Sequence, residues 1–506
     1  MADPVHGSSS PAKRSASNML PLSLTPLMVA GTTDNFRLPP IGRCPLRQVV
    51  DRFGPVTLLT RLLLVLALAL SQLAVGVAQA APDLKDQLTA IRGLRVISER
   101  VVGQYRYFVL GFRQPVDHHR PWAGEFEQRI SLLHKDVSRP VVLHTTGYEL
   151  PGGPGTSEPT RLVDGNQLSV EQRFFEPSRP VPANWQDLTI WQAANDHHRI
   201  VRAFKSIYRE SWLSTGASKG GMTSVYHRRF FPHDVDGTIA YVAPNDVVDD
   251  RDVYGKFIEH VGTDGACNRG LEAAQRQILG HRDEVVERML AKGYTYQLFG
   301  SPQRALEILV IDMPFTFWQY GSQADCVKVP EPGATVDQLV AFIDATVGFD
   351  FYSDRGVEPY TAYYYQAGTQ LGSPEADERA VADLLRYPGS SVPRSFVPAD
   401  IKMRFDRTAM RDIDNWVRFA GRNLLFVYGE HDPWSAEPFR VGPGTRDSFS
   451  FTVPAGNHGS TIAKLPEAQR AKATETVLRW ADVQPAATTA TVDGLADLDE
   501  LRRRPR

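Results

Sequence analysis

The sequence predicts an α/β fold, a mostly parallel β-sheet flanked by helices and interrupted by a long helical insertion. Three observations carry this. Short apolar runs alternate with helical periodicity from residue 93 to about 245, and roughly 170 residues of mainly helical pattern follow. A last strand-and-loop pair beginning near residue 423 then restores the alternation.

The elements follow in order. "LRVISERVV", "YRYFVLGF", "FEQRISLLHK" and "PVVLHTTG" read as successive strands with polar turns such as "QPVDHHRPWAGE" between them. After the apolar run "NQLSVEQRFF", residues Leu188, Ile190, Trp191, Ala194, His198, Val201 and Phe204 recur at helical spacing. Strand "SWLSTG", helix "SKGGMTSVYHRRFF" and strand "DGTIAYVAPN" come next. The insertion holds "GLEAAQRQILGHRDEVVERMLAKG", "RALEILVIDMPFTFWQYG" and "TVDQLVAFIDATVG", and "NLLFVYGEHDPW" and "SFSFTVPAGNHGS" close the sheet. The implied segments are a leader over 1–81, a first core part over 82–246, a helical cap insertion over 247–415, a second core part over 416–482 and a loose tail over 483–506.

Within the leader, Arg61 precedes an apolar run that Ser71 and Gln72 interrupt, and Ala78-Gln79-Ala80 offers the small residues of a signal-peptidase site. Secretion with cleavage near Ala80 or Ala81 is the expectation, leaving no stable membrane association. A retained membrane anchor is the alternative, because Leu58 to Val77 approaches the roughly 20 residues that span a bilayer. A net charge of −2 over 506 residues gives no general attraction to nucleic acid, which is not an expected partner. Of three cysteines, Cys44 lies in the leader, so Cys267 and Cys326 remain after export and are expected to pair in an oxidising compartment. Their spacing suits no metal site, and no metal or cofactor is expected.

The chemistry centres on Gly216, Ser218 and Gly220, a G-x-S-x-G turn between a strand and a helix. Such a turn strains the serine backbone and presents its hydroxyl above the sheet. A phosphate loop would need G-x-x-x-x-G-K-[ST]; here Lys219 precedes the glycine pair, and no hydroxyl follows it for magnesium. A serine nucleophile also needs a base and a group that orients the base, which in α/β-hydrolases follow as acid and then histidine. Asp432, just past a strand, and His458, on a glycine-rich loop 26 residues later, take those positions ahead of the competitors Glu430 and His431. The backbone amides of Lys219 and Tyr148 are the candidate oxyanion donors. The Lys219 side chain is expected to be a solvated helix-start residue or one partner of an ion pair.

"FRQPVDHHRPWAGEFEQRISLLHKD", "VEQRFFEPSRP", "STGASKGGMTSVYHRRFFP" and "YVAPND" together resemble the secreted bacterial prolyl tripeptidyl aminopeptidases and, more distantly, the lysosomal prolyl carboxypeptidase and dipeptidyl peptidase group. The resemblance covers about residues 93 to 480. It implies an α/β-hydrolase core with a large helical cap, a triad of Ser218, Asp432 and His458, and a peptide substrate losing tripeptides from its free N-terminus, often after proline. Recognising a free ammonium requires a facing carboxylate, because a buried unpaired charge costs several kcal/mol. Glu171 is the candidate, with an ion pair to Arg173 or Arg179 as its other reading. Trp434, beside Asp432, is the candidate pocket wall, while most rings of "MPFTFWQYG" and "YTAYYYQ" are expected in the core of the cap. An esterase or lipase on the same fold, or a dipeptidyl or carboxypeptidase-type prolyl peptidase, remains open.

Overall fold

The structure, a computed structural model, describes residues 82–247, 253–263, 265–375, 377–484 and 495–498. The chain divides into Met1–Ala80 and Ala81–Arg506, and all described residues belong to the second unit. The leader, with Cys44 and the expected cleavage near Ala80 or Ala81, lies outside the described residues.

Among the described residues ten strands precede the tail: β1 Leu94–Val102, β2 Tyr105–Pro115, β3 Glu125–His134, β4 Val141–Thr145, β5 Gly155–Thr156, β6 Asn166–Val170, β7 Trp212–Ala217, β8 Gly237–Tyr241, β9 Leu424–Gly429 and β10 Phe449–Val453. Nine of them form one sheet in the order β1-β2-β3-β6-β4-β7-β8-β9-β10. The first three are antiparallel, as is the β3–β6 pair, and every pair from β6 to β10 is parallel. Burial explains the composition. Every residue of β4, β6, β8 and β9 is buried, as strands covered on both faces are, and the polar Asn166, Gln167 and Ser169 of β6 are hydrogen-bonded, whereas edge strand β1 is largely exposed.

Helix α1, Ile190–Phe204, begins where the Thr189 side chain accepts from Gln192 N–H. Its apolar stripe joins α2, Lys219–Phe230, over the sheet: Ile190, Ala193 and Ala194 pack in one cluster with Met222, Val225 and Tyr226. Among the described residues no strand forms between Tyr241 and Leu424. The helices there include α3 Ala266–Gly280, α4 Pro302–Tyr320 and α5 Val336–Thr346. Within the helical run over 270–293 the chain breaks at His281, and a further helix occupies Arg282–Ala291. These helices build a separate apolar cluster around Leu271, Leu309, Trp318 and Ile343. A Cys267–Cys326 disulfide, with Cα atoms 5.4 Å apart, ties α3 to the turn Gln323–Lys328.

The tail expected to be loose contains β11, Ala496–Asp497, paired parallel to β5. No helix among the described residues is long and apolar enough to cross a membrane.

Candidate active site

β7 ends at Ala217 and α2 begins at Lys219, so Ser218 alone makes the turn, at φ 55° and ψ −128°. A positive φ is a strained conformation for a residue with a side chain. Its neighbours explain how it is held. A Cβ on Gly216 would lie 2.4 Å from the Gly220 carbonyl, and one on Gly220 would lie 2.5 Å from Thr145 O. Both glycines are therefore forced by close backbone approach. Ser218 N–H donates to Tyr241 O of β8 at 2.9 Å.

Asp432 follows β9 and is fully buried. Its carboxylate accepts from Trp434 N–H at 3.2 Å and from the Ser435 hydroxyl at 2.7 Å, which leaves it facing His458. His458 Nδ1 lies 2.9 Å from both carboxylate oxygens. With Nδ1 carrying the proton toward Asp432, Nε2 is the lone-pair nitrogen. That buried Nε2 has no hydrogen-bond partner among the described residues, and Ser218 Oγ makes none either. Open serine–histidine geometry is common before substrate arrives. Glu430 and His431 are occupied elsewhere: Glu430 accepts from Ala455 N–H at 2.7 Å, and the His431 ring sits edge-on to Trp318.

Two further contacts hold the histidine loop. His458 N–H donates to Gln319 O of α4 at 3.0 Å, and the Asn457 amide donates to Tyr320 O and Gly321 O. Glu158 forms the second, accepting from Tyr241 Oη, Ile462 N–H and Ala463 N–H at 2.7–2.8 Å. Tyr241 thus ties the serine turn, through its carbonyl, to the histidine loop, through its phenol and Glu158. Burial raises the Glu158 pKa against the opposing effect of those three donors. Sequence reasoning missed Glu158 because two of its three partners lie more than 300 residues away along the chain and the third lies 83 away.

Lys219 departs from expectation. Its side chain is buried rather than solvated, Nζ donates to Gly147 O at 2.6 Å, and it faces the Tyr148 and Phe175 rings at 5.6 and 5.5 Å. The ammonium ties the loop after β4 to the start of α2, and two ring faces supply electrostatic compensation for its burial. Tyr148 N–H, one candidate oxyanion donor, contacts Thr146 Oγ1 at 3.2 Å.

Glu171 lies just behind this loop, 1% exposed. It accepts from Leu150 N–H at 2.9 Å and from the Ser178 hydroxyl at 2.7 Å, and burial raises its pKa. Arg173 pairs with Asp196 and Arg179 with Glu176, so neither expected ion pair forms. A small pocket at Ser218 is lined by Lys219, Met222, Asp246, Tyr254, Tyr363 and Trp434 among others. Trp434 lines this pocket, and its ring centroid lies 6.2 Å from that of His458. Asp246, Tyr254 and Tyr363 escaped the sequence reading. Tyr363 was hidden in an aromatic run whose next two residues, Tyr364 and Tyr365, are cap core. Among the described residues no His, Cys, Asp and Glu cluster could hold a metal.

A family model, PS-10 peptidase S37, matches residues 77–500. A prolyl tri/tetrapeptidyl aminopeptidase of Streptomyces mobaraensis is 52% identical over 412 residues, covering 80% of this chain and 86% of that protein. Prolyl carboxy peptidase like protein 5 of Caenorhabditis elegans is 22% identical over 474 residues, covering 76% and 91%. Among solved structures, proline iminopeptidase of Mycobacterium smegmatis is similar at 15% identity and a TM-score of 0.32, covering 76% of this chain and 99% of that one.

Proposed function

The chain belongs to the PS-10 peptidase S37 family of serine peptidases, and on that premise we propose that it is a secreted exopeptidase releasing tripeptides, chiefly Xaa-Xaa-Pro, from free peptide N-termini. The observation that carries the reading is the buried Asp432–His458 pair, whose outward imidazole nitrogen has no partner among the described residues, linked through Trp434 to the pocket of a serine held at positive φ.

In this mechanism His458 Nε2 takes the Ser218 hydroxyl proton as the oxygen attacks the carbonyl after the third residue. Asp432 holds the imidazole in the productive tautomer and stabilises the imidazolium. The amides of Lys219 and Tyr148 receive the oxyanion, with Tyr148 N–H turning from Thr146 Oγ1 to do so. The proton passes to the departing amine, and water, deprotonated by His458, then releases the tripeptide. No step calls for a cofactor.

Selecting a free N-terminus requires a carboxylate within reach of the bound ammonium. Glu171 holds the Tyr148–Leu150 loop through Leu150 N–H and the Ser178 hydroxyl and is not among the described residues that line the pocket at Ser218. Asp246, buried and lining the same pocket as Ser218, takes the ammonium, and Trp434 and Tyr254 wall the proline.

The test compares Xaa-Xaa-Pro-p-nitroanilide with its N-acetylated form. Hydrolysis of the free amine alone is expected, with Ser218→Ala lowering kcat by about 10⁴-fold or more and Asp246→Asn erasing the discrimination. Equal cleavage of both forms, or hydrolysis of esters alone, would sink the aminopeptidase reading in favour of an esterase. Sequencing the N-terminus of the exported protein tests cleavage near Ala80 or Ala81.

A further inference from the structure

A second and larger cavity, of about 760 Å³, lies against the end of α4, close to the loop that carries His458. Its inner wall is the end of α4, with Thr316, Phe317, Tyr320 and Gly321, and its outer wall is the loop Val329–Ala334 together with Phe342 and Ala345 of α5. The cavity and the histidine share a boundary. The Tyr320 ring stands edge-on to the His458 ring with centroids 6.5 Å apart, and Asn457 donates to both Tyr320 O and Gly321 O. Trp434, which lines the Ser218 pocket, lies 6.2 Å from the same imidazole. One wall residue of each space is therefore a neighbour of the His458 ring.

Acyl transfer gives the two spaces different contents. The acyl half of the substrate is bonded to Ser218 Oγ after attack, so it occupies the pocket that Ser218 lines. The departing nitrogen takes its proton from His458, so the chain beyond it leaves from the imidazole on the side away from that pocket. An extended chain advances about 3.3 Å per residue, so two residues cover the distance from His458 to Tyr320. We infer that the cavity between α4, the Val329–Ala334 loop and α5 binds the leaving portion of the peptide, from about its second residue onward. This rests on the serine exopeptidase reading and adds to it a binding site for the part of the substrate that is not released as a tripeptide.

The walls suit that occupant. Phe317, Val329, Pro330 and Phe342 offer apolar contact to its side chains. The outer loop is braced from α3: Gln277 Oε1 accepts from Gly333 N–H and Ala334 N–H at 2.8 and 3.2 Å, and the Cys267–Cys326 disulfide anchors the turn that carries Asp325 and Lys328 at the rim. A braced cavity keeps its volume when empty, so binding there does not first have to order a loop.

Ala341 and Ala345 are exposed residues of α5 that line the cavity, so Ala341→Trp and Ala345→Trp fill it without disturbing packed core. Each variant is assayed on Xaa-Xaa-Pro-p-nitroanilide, which has no leaving peptide, and on Xaa-Xaa-Pro followed by six residues. Hydrolysis of the anilide is expected within about twofold of the parent protein, and kcat/KM on the nonapeptide to fall about tenfold through KM. Unchanged nonapeptide cleavage in both variants, or an equal loss on both substrates, would overturn the inference while leaving the peptidase reading intact. Failure of the parent protein to hydrolyse the anilide would overturn both together.

Discussion

The serine turn and the helical cap are built by different means. At the turn the backbone is the packing material: Gly216, Gly220 and the Thr145 carbonyl approach so closely that a single methyl group has no room. In the cap, side chains do the packing, around Leu309, Trp318 and Ile343, and one disulfide braces them. The first construction fixes reacting atoms within tenths of an ångström. The second leaves cavities, and cavities are where one substrate is told from another.

The largest expected effect tests the turn's side of this division. Asp432→Asn keeps the hydrogen-bonding shape but favours the wrong imidazole tautomer, so kcat is expected to fall about 10⁴-fold while the unfolding temperature stays near the parent value. A loss below tenfold would remove Asp432 from the triad.

Next comes the cap. Replacing both Cys267 and Cys326 by serine opens a cross-link spanning 59 positions, expected to cost about 4 kcal/mol of stability in the chain-entropy model. Anilide hydrolysis below the new unfolding temperature is expected to stay within a few-fold, because the turn draws nothing from that bond. Equal loss of rate and stability would show that the two regions are one unit.

Acid is expected to act on the core. Burial lowers the pKa of His144 in β4 and of His197 in α1 to about 4 each. An unfolded histidine titrates near 6.5, so the unfolded chain binds more protons between those values. Stability is therefore full above pH 6.5 and is lost as pH falls toward 4, by up to about 3 kcal/mol for each group. Unfolding temperatures measured over that range should drop, and His197→Gln should flatten the drop. A curve that His197→Gln leaves unchanged would exclude that residue.

The smallest effect is the most local. Gly216→Ala forces the turn apart and is expected to lower kcat/KM about 10²-fold by misplacing Ser218. Full activity would show that the turn has slack.

Much of the sheet was legible because its cause is local. Continuous apolar runs such as "LLFVYG" and the alternation of strands with helices depend on near neighbours. The positions of Ser218, Asp432 and His458 after β7, β9 and β10 were legible for a related reason: chain order follows strand order there. The resemblance to prolyl tripeptidyl aminopeptidases read from four motifs agrees with the family to which the chain belongs. Lys219 was misread because a lysine at a helix start gives no local sign of burial. Its partner Gly147 and the rings of Tyr148 and Phe175 come from distant segments of the chain. Glu158 and Asp246 were missed for the same reason.

The sequence by itself determined the alternation of strands and helices and the serine turn between β7 and α2, since hydrophobic period and turn chemistry act within a few residues. Tertiary structure alone decided what surrounds them: which carboxylate lines the serine's pocket, which already holds a loop, and which cavity the end of α4 lines near the His458 loop. Those outcomes depend on burial and contact between segments up to 300 residues apart, and no local pattern encodes a distance across the fold.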